Sequence, residues 1–291
     1  MPMYDICCIG HITSDKVVTT QTTLYMPGGT AYYFSCALSN LQTKYLLITA
    51  LADAQMHYVE QLREDGIEVL VQPSTHTVFF ENIYPENQDQ RTQRVSKKAD
   101  TFRQEILQDV EARIFHLGPL LADDISIDVI KTLAAKGRVS LDVQGYLRRV
   151  ENQQVYATNW PGMAEALPHI SILKADVAEL QALTGKDTVA DGVEVLAGYG
   201  VKEIVITNGG QGSQIWSDGV FYDIPAFMPP LSVDATGCGD TYMAGYLFYR
   251  TKGMGIQRSG EFAAAMAGLK TATPGAFTGT LQDVEAFMNN R

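Results

Sequence analysis

The sequence predicts an α/β fold: a three-layer α/β/α sandwich with a mainly parallel central sheet, plus a small β flap. Three observations predict it. Short apolar runs alternate with amphipathic segments along most of the chain, the pattern of strands joined by crossover helices. Glycines and polar caps mark the changeovers. The stretch from about 73 to 99 breaks the rhythm with two half-polar runs, which suits an exposed antiparallel flap.

The elements follow in order. Tyr4–Ile9 reads as a buried strand. After a polar stretch, Thr30–Leu41 carries Ala31, Phe34, Ala37, Leu38 and Leu41 at helical spacing. Tyr45–Leu51 is the next apolar run, and Asp53 is the expected N-cap of a helix stopping at Gly66. Ile67–Val71 is a strand. Thr77–Tyr84 and Arg91–Ser96 read as flap strands joined by the polar turn PENQDQ. Arg113–Leu117 is a strand, about 124–136 a helix ending at Gly137, and Arg138–Asp142 a strand. Ile170–Lys174 is another strand, and Asp176 opens a helix ending near Gly185. A helix over about 189–199 precedes the strand Glu203–Thr207, and Asn208–Gly209–Gly210 turns into Ser213–Ser217 as a hairpin. The last third holds two longer helices rich in Ala and Gly, about 238–250 and 257–272. The expectation is one domain over 1–291, with a small lid from about 12–27 and 73–96.

Composition bounds the function. The chain has 291 residues, 46% apolar, with 33 acidic and 22 basic side chains and a net charge of −11. That excludes wholesale disorder and a nucleic-acid partner, which needs clustered Lys and Arg. It leaves phosphate ligands open, because backbone N–H groups and a metal ion can make a local positive site. Cys7, Cys8, Cys36 and Cys238 form no CxxC pair, and the five histidines lack metal-ligand spacing. Neither a signal peptide nor a long apolar span is visible, so the expected location is cytoplasmic, with no membrane partner.

The most informative stretch is Asp234–Ala235–Thr236–Gly237–Cys238–Gly239–Asp240, leading into TYMAGYLFY. Two glycines around a small residue at a helix start let successive N–H groups converge on one anion. Asp240 then sits in the first turn beside that anion. A carboxylate there suits a hydroxyl that must lose a proton while attacking phosphate; equally, first-turn acids often serve only as caps. The glycines complete neither GxGxxG, since residue 242 is Tyr, nor a Walker loop. A nicotinamide-dependent oxidoreductase is therefore unsupported.

DATGCGDTYMAG resembles the C-terminal signature of the ribokinase-like (PfkB-type) carbohydrate kinases, a DTxGAGD loop. The resemblance implies Asp240 as catalytic base and the N–H groups of Gly237, Cys238 and Gly239 as the anion hole. It implies ATP and Mg²⁺ as cofactors. IGHITSDKV is similar to the family's first strand and sugar-contacting turn, which makes Asp15 the acceptor for substrate hydroxyls. Pro27–Gly28–Gly29–Thr30–Ala31 resembles the N-terminal di-glycine motif, with Tyr33 where the family usually has Asn. Lys174–Glu179 resembles NxxE with Asp176 replacing Asn. Glu179 would then hold Mg²⁺ through water, while Asp176 and Glu179 also read as a capping box. Thr207, Gly209 and Gly212 match the TxGxxG nucleotide loop. Asp234 and Thr236 fall where some members hold a monovalent cation such as K⁺. Ala263 and Ala267 are candidates for an adenine pocket, with helix packing as the alternative. Cys238 reads as a reactive helix-terminal thiol or, preferably, a small residue replacing Ala.

For the acceptor, Phe79, Asn82, Arg91 and Arg94 are the substrate-facing candidates of the flap, and Arg148 approaches substrate or makes a surface salt bridge. A polar flap favours a sugar or cyclitol over a nucleoside. The remaining alternatives are a nucleoside kinase and a non-catalytic sugar and nucleotide sensor. The expected partner is a small molecule, and the chain is expected to be a monomer or homodimer.

Overall fold

The computed structural model describes residues 3–18, 20, 22–83 and 92–289. In chain order its first strands are β1 (Tyr4–Gly10), β2 (Thr13–Val18), β3 (Thr23–Gly28), β4 (Tyr45–Leu51), β5 (Glu68–Pro73), β6 (Val78–Ile83) and β7 (Thr92–Lys97). Then follow β8 (Ala112–Gly118), β9 (Arg138–Asp142), β10 (Arg148–Glu151), β11 (Gln154–Ala157), β12 (Ile172–Asp176), β13 (Glu203–Thr207), β14 (Ser213–Ser217) and β15 (Val220–Ile224). The helices are α1 (Gly29–Ser39), α2 (Met56–Glu64), α3 (Ile127–Ala134), α4 (Met163–Ala166), α5 (Val177–Thr184), α6 (Val189–Gly198), α7 (Cys238–Thr251), α8 (Ile256–Thr271) and α9 (Leu281–Asn289).

A nine-stranded sheet runs in the order β15-β14-β13-β12-β9-β8-β1-β4-β5. Its strands from β13 to β5 pair in parallel, and β14 and β15 add an antiparallel edge. Parallel pairing demands crossovers and buries both faces. Alternation along β1 shows how. Ile6 and Cys8 enter one core with residues of α1, α7 and α8, while Cys7 and Ile9 enter another with residues of α3, α5 and α6. The three-layer α/β expectation holds.

The chain leaves β1 toward β4 on one side and later returns to add β8 on the other. Strand order thus reverses between β1 and β8, and open α/β sheets bind ligands outside such a switch point. The elements meeting there approach closely. A Cβ on Gly118, at the end of β8, would lie 2.3 Å from Thr30 Cγ2 in the first turn of α1. Only glycine admits that contact.

A second sheet of six strands, in the order β10-β11-β7-β6-β2-β3, forms the flap. It is larger than the sequence suggested. The hairpin strands β2 and β3 run to Gly28, one residue past the expected 12–27, and β10–β11 extend the sheet beyond residue 96. The hairpin β10–β11 escaped notice because its turn is Asn152–Gln153, both at positive φ, without a glycine. The PENQDQ turn and Arg91 lie outside the described residues.

Asp53 opens a 3₁₀ turn with no side-chain cap. The helix expected over 124–136 starts at Ile127, capped by Ser126. Asp124 is buried instead and accepts the N–H groups of Leu120 and Leu121. β15 and α9 were not anticipated. Among the described residues no helix is long and apolar enough to cross a membrane.

Candidate active site

The carboxyl ends of the parallel strands deliver the polar side chains. β9 ends at Asp142, β12 carries Lys174 and ends at Asp176, and β13 ends at Thr207. Facing them is the start of α7. Gly237, its N-cap, takes φ +75°, the left-handed conformation that reverses the chain into the helix. No side chain caps α7. The Cys238 N–H donates to Ala235 O at 3.2 Å, so the expected three-donor hole is narrower. The N–H groups of Gly237 and Gly239 make no hydrogen bond among the described residues and remain available to an anion.

Asp240 lies in the first turn of α7. Burial, then the neighbouring Asp142, push its carboxyl up to about 6, while Lys174, the Thr30 hydroxyl and Arg148 pull it down. That value suits a proton acceptor near neutral pH. Arg148 therefore acts on the site through its charge.

Lys174 is a site residue to which no sequence motif assigned a role. Its ammonium is 3.0 Å from Asp142 Oδ2 and 3.7 Å from Glu179 Oε2, almost fully buried. A Cβ on Gly239 would lie 3.3 Å from it, so the ammonium sits under the glycine loop. Burial would lower its pKa, but Asp142 and Glu179 more than reverse that, with help from Asp240, and it stays charged. The signal was present: a lysine inside the apolar strand of ILKAD needs a buried partner.

Asp176 and Glu179 form the capping box in full. Asp176 Oδ1 accepts from Glu179 N, and Glu179 Oε2 accepts from Asp176 N, both at 2.7 Å. Glu179 also accepts from Gln144 Nε2 at 3.3 Å. Burial raises its pKa, and the nearby Lys174 opposes that rise. The region holds Asp142, Glu179 and Asp240 around one ammonium. That surplus of negative charge fits a divalent cation carried in with phosphates. No group of three or more His, Cys, Asp or Glu among the described residues is arranged to chelate an ion unaided.

The nucleotide-loop candidates form the β13–β14 turn. Asn208 N donates to Gly212 O at 2.8 Å, Gly209 has φ +50° and Gly212 φ +95°. A cavity of about 450 Å³ lies beside this turn, lined in part by Asn208, Gln211 and Gly212.

On the acceptor side, Thr13 Oγ1 donates to Asp15 Oδ1 at 2.6 Å. A Cβ on Gly28 would lie 2.5 Å from Asp15 Oδ2, so the first glycine of the pair gives the carboxylate room. A Cβ on Gly29 (φ +83°) would meet His11 O at 2.6 Å. Tyr33 is buried, its ring against Gly237. Burial and then Asp15, Asp234 and Asp240 all raise its pKa, so its hydroxyl stays protonated among three carboxylates.

The flap register sorts the remaining candidates. Asp15 pairs with Phe80, and Phe80 with Val95, so these share one face. Asn82, which accepts from Gln93 Nε2 at 3.0 Å, lies on that face too. Arg94 pairs with Glu81, which pairs with Lys16, on the other face. Lys16 Nζ bonds Glu81 there at 2.7 Å, and Phe79 shares that side. Arg94 and Phe79 therefore do not join Asp15. A one-residue difference in register decides the face.

At the other end of the loop, Asp234 Oδ1 accepts from Thr236 N at 2.9 Å, and Asp234 Oδ2 accepts from Gly275 N at 3.1 Å and Lys270 Nζ at 2.9 Å. Ala263 is fully buried against Gly245, so it is helix packing and not a pocket wall. Ala267 accepts the Cys238 thiol at 3.7 Å. Burial pushes that thiol up to about 11, which makes Cys238 an unreactive small residue.

A model of the pfkB family carbohydrate kinases matches residues 2–283. A cytidine kinase from Thermococcus kodakarensis is 24% identical over 277 residues, covering 89% of this chain and 96% of its own. A pyrophosphate-dependent kinase of the ribokinase family, solved with a pyrophosphate analog and myo-inositol, is 29% identical with a TM-score of 0.86, covering 97% of this chain and 99% of that one. Arabidopsis thaliana ribokinase, solved with ribose and ATP, shares the fold at 20% identity and a TM-score of 0.80, over 99% of both chains.

Proposed function

The chain belongs to the pfkB family of carbohydrate kinases, and from that premise we propose that it moves a phosphoryl group from ATP to a hydroxyl of a sugar or cyclitol, with Asp240 as general base. The observation that carries this is Asp240 in the first turn of α7, beside an uncapped glycine loop, with its carboxyl pushed up to about 6. Kinases of the ribokinase family typically use ATP with Mg²⁺.

In this reading Asp15, braced by Thr13, accepts two substrate hydroxyls and turns a third toward Asp240. Asp240 takes the proton as that oxygen attacks the γ-phosphate. The Gly237 and Gly239 N–H groups and the Lys174 ammonium face the charge that develops on the transferred group. Mg²⁺, held by the phosphates and through water by Glu179, would supply further neutralisation. Thr207, Gly209 and Gly212 would seat the rest of the nucleotide. Closure of the flap would exclude water and protect ATP from hydrolysis.

Two points of specificity have a second reading. The 29%-identical relative is pyrophosphate-dependent and was solved with myo-inositol, which supports a cyclitol acceptor and makes pyrophosphate the second candidate donor. The cytidine kinase relative keeps a nucleoside acceptor in play. One experiment separates these. Purified protein with Mg²⁺ and either ATP or pyrophosphate is offered sugars, cyclitols and nucleosides, and phosphorylated product is detected by mass. A sugar or cyclitol phosphate formed from ATP is the expected result. Product from nucleosides alone, or from pyrophosphate alone, replaces the corresponding part of the proposal.

A further inference from the structure

The segment that leads into the glycine loop carries a buried cation of its own. Lys270, at the end of α8, has a side chain with no solvent exposure. Its Nζ donates to Asp234 O at 2.9 Å and to Asp234 Oδ2 at 2.9 Å. The two chain segments are laced together as well, with Val233 N and Asp234 N both donating to Thr271 O, at 2.6 and 3.2 Å. The charge is felt in the loop itself, since Lys270 acts on the Cys238 thiol at the start of α7.

This arrangement does not fit a free monovalent ion at Asp234 and Thr236. K⁺ is held by several oxygens that replace its water shell. The oxygens of Asp234 already have donors: Oδ1 has Thr236 N, Oδ2 has Gly275 N and Lys270, and the carbonyl has Lys270. A second cation would also stand against a buried ammonium, which cannot move into water. Lys270 thus has the charge, the position and two of the oxygens that such an ion would use.

The geometry points to Lys270 as a tethered replacement for a monovalent cation at Asp234, holding the loop that leads to Gly237 and freeing the protein from K⁺. The catalytic consequence rests on the kinase reading; the binding consequence does not. Lys270 acts through Asp234 and the loop, so it is a positioning residue.

The test compares the wild-type protein and Lys270→Ala in tetramethylammonium chloride, with K⁺ or methylammonium added at constant ionic strength. Melting temperature and kcat/KM are the readouts. Wild type should melt at the same temperature with or without K⁺, and its kcat/KM should change less than about twofold. Lys270→Ala should lose about tenfold or more in tetramethylammonium, and K⁺ or methylammonium should restore much of the loss and raise the melting temperature. Wild-type stimulation by K⁺ above about fivefold would overturn the idea. So would a variant that keeps full activity without a small cation, or one whose loss no small cation repairs, which would mark a merely structural contact. If the alanine variant does not fold, Lys270→Met takes its place, and the wild-type arm still decides. If no donor and acceptor give turnover, the kinase reading fails while the melting arm stands.

Discussion

The ring of Tyr33 fills the space that a side chain on residue 237 would occupy: a Cβ on Gly237 would lie 2.3 Å from Tyr33 Cδ1. α1 and α7 therefore meet at a glycine that is also held at φ +75°. Gly237→Ala faces both obstacles, a left-handed alanine costing about 1–2 kcal/mol and a clash with a buried ring. It should lower the melting temperature and cut turnover steeply, since the loop can no longer aim its N–H groups. Shortening the partner in Gly237→Ala/Tyr33→Ala should recover part of the lost stability, because the two changes share one contact. Strict additivity in that double variant would show that the ring does not set the loop.

Asp240 and its neighbours give a pH prediction. Asp240→Asn should lower turnover about 10²–10⁴-fold while acceptor binding persists. In the wild type, the carboxylate form is the base, so kcat/KM should rise with pH through an acid limb near 6. Lys174 lowers the Asp240 pKa, so Lys174→Met should move that limb upward, by about one pH unit for about 1.4 kcal/mol of lost attraction. A limb that stays in place in the folded Lys174→Met variant would assign the titration to another group.

Asp15 and Arg94 lie on opposite faces of the flap, which makes a paired experiment. Asp15→Asn removes a charge-assisted acceptor and should raise the acceptor KM about 10–100-fold. Arg94→Ala, on the face of Lys16 and Glu81, should change that KM less than about twofold. Steady-state kinetics with the best acceptor reads both. A large effect at Arg94 would mean that the acceptor reaches around the flap.

The layers of the fold were legible because each central strand is a compact apolar run bounded by a cap or a glycine. The capping box was legible too, since its two residues are three apart in sequence. What was not legible depends on pairings distant in sequence. The face on which Arg94 lies follows from its register with Glu81 and Lys16, which no local pattern encodes. Lys270 is separated from Asp234 by most of two helices. Lys174 and Lys270 shared one usable signal: each is a lysine in an otherwise largely apolar buried stretch, and such a charge must find a partner. Tyr33 was visible as a departure from the expected Asn, but its contact with Gly237 was not.

Glu203 tests whether stability and chemistry separate in this fold. It begins β13, at the end of the strand remote from Thr207. Arg250 bonds both its carboxylate oxygens, at 2.9 and 3.2 Å, Tyr246 donates at 2.7 Å, and Arg138 at 2.6 Å. Burial raises its pKa, but the bond from Arg250, then Arg138 and Tyr246, hold it below the usual carboxylate range. A depressed folded pKa contributes stability above the unfolded value, and that contribution is lost as pH falls through the folded one. Glu203→Gln should therefore destabilise by about 1–3 kcal/mol at pH 7, with Arg138 adding little because it is 40% exposed. The gap between variant and wild type should close in acid. Melting curves across pH measure it. Turnover of the folded variant should stay within about twofold of wild type, since none of these groups reaches the carboxyl ends of the strands. A folded Glu203→Gln protein that has lost turnover would place the chemistry at the wrong end of the sheet.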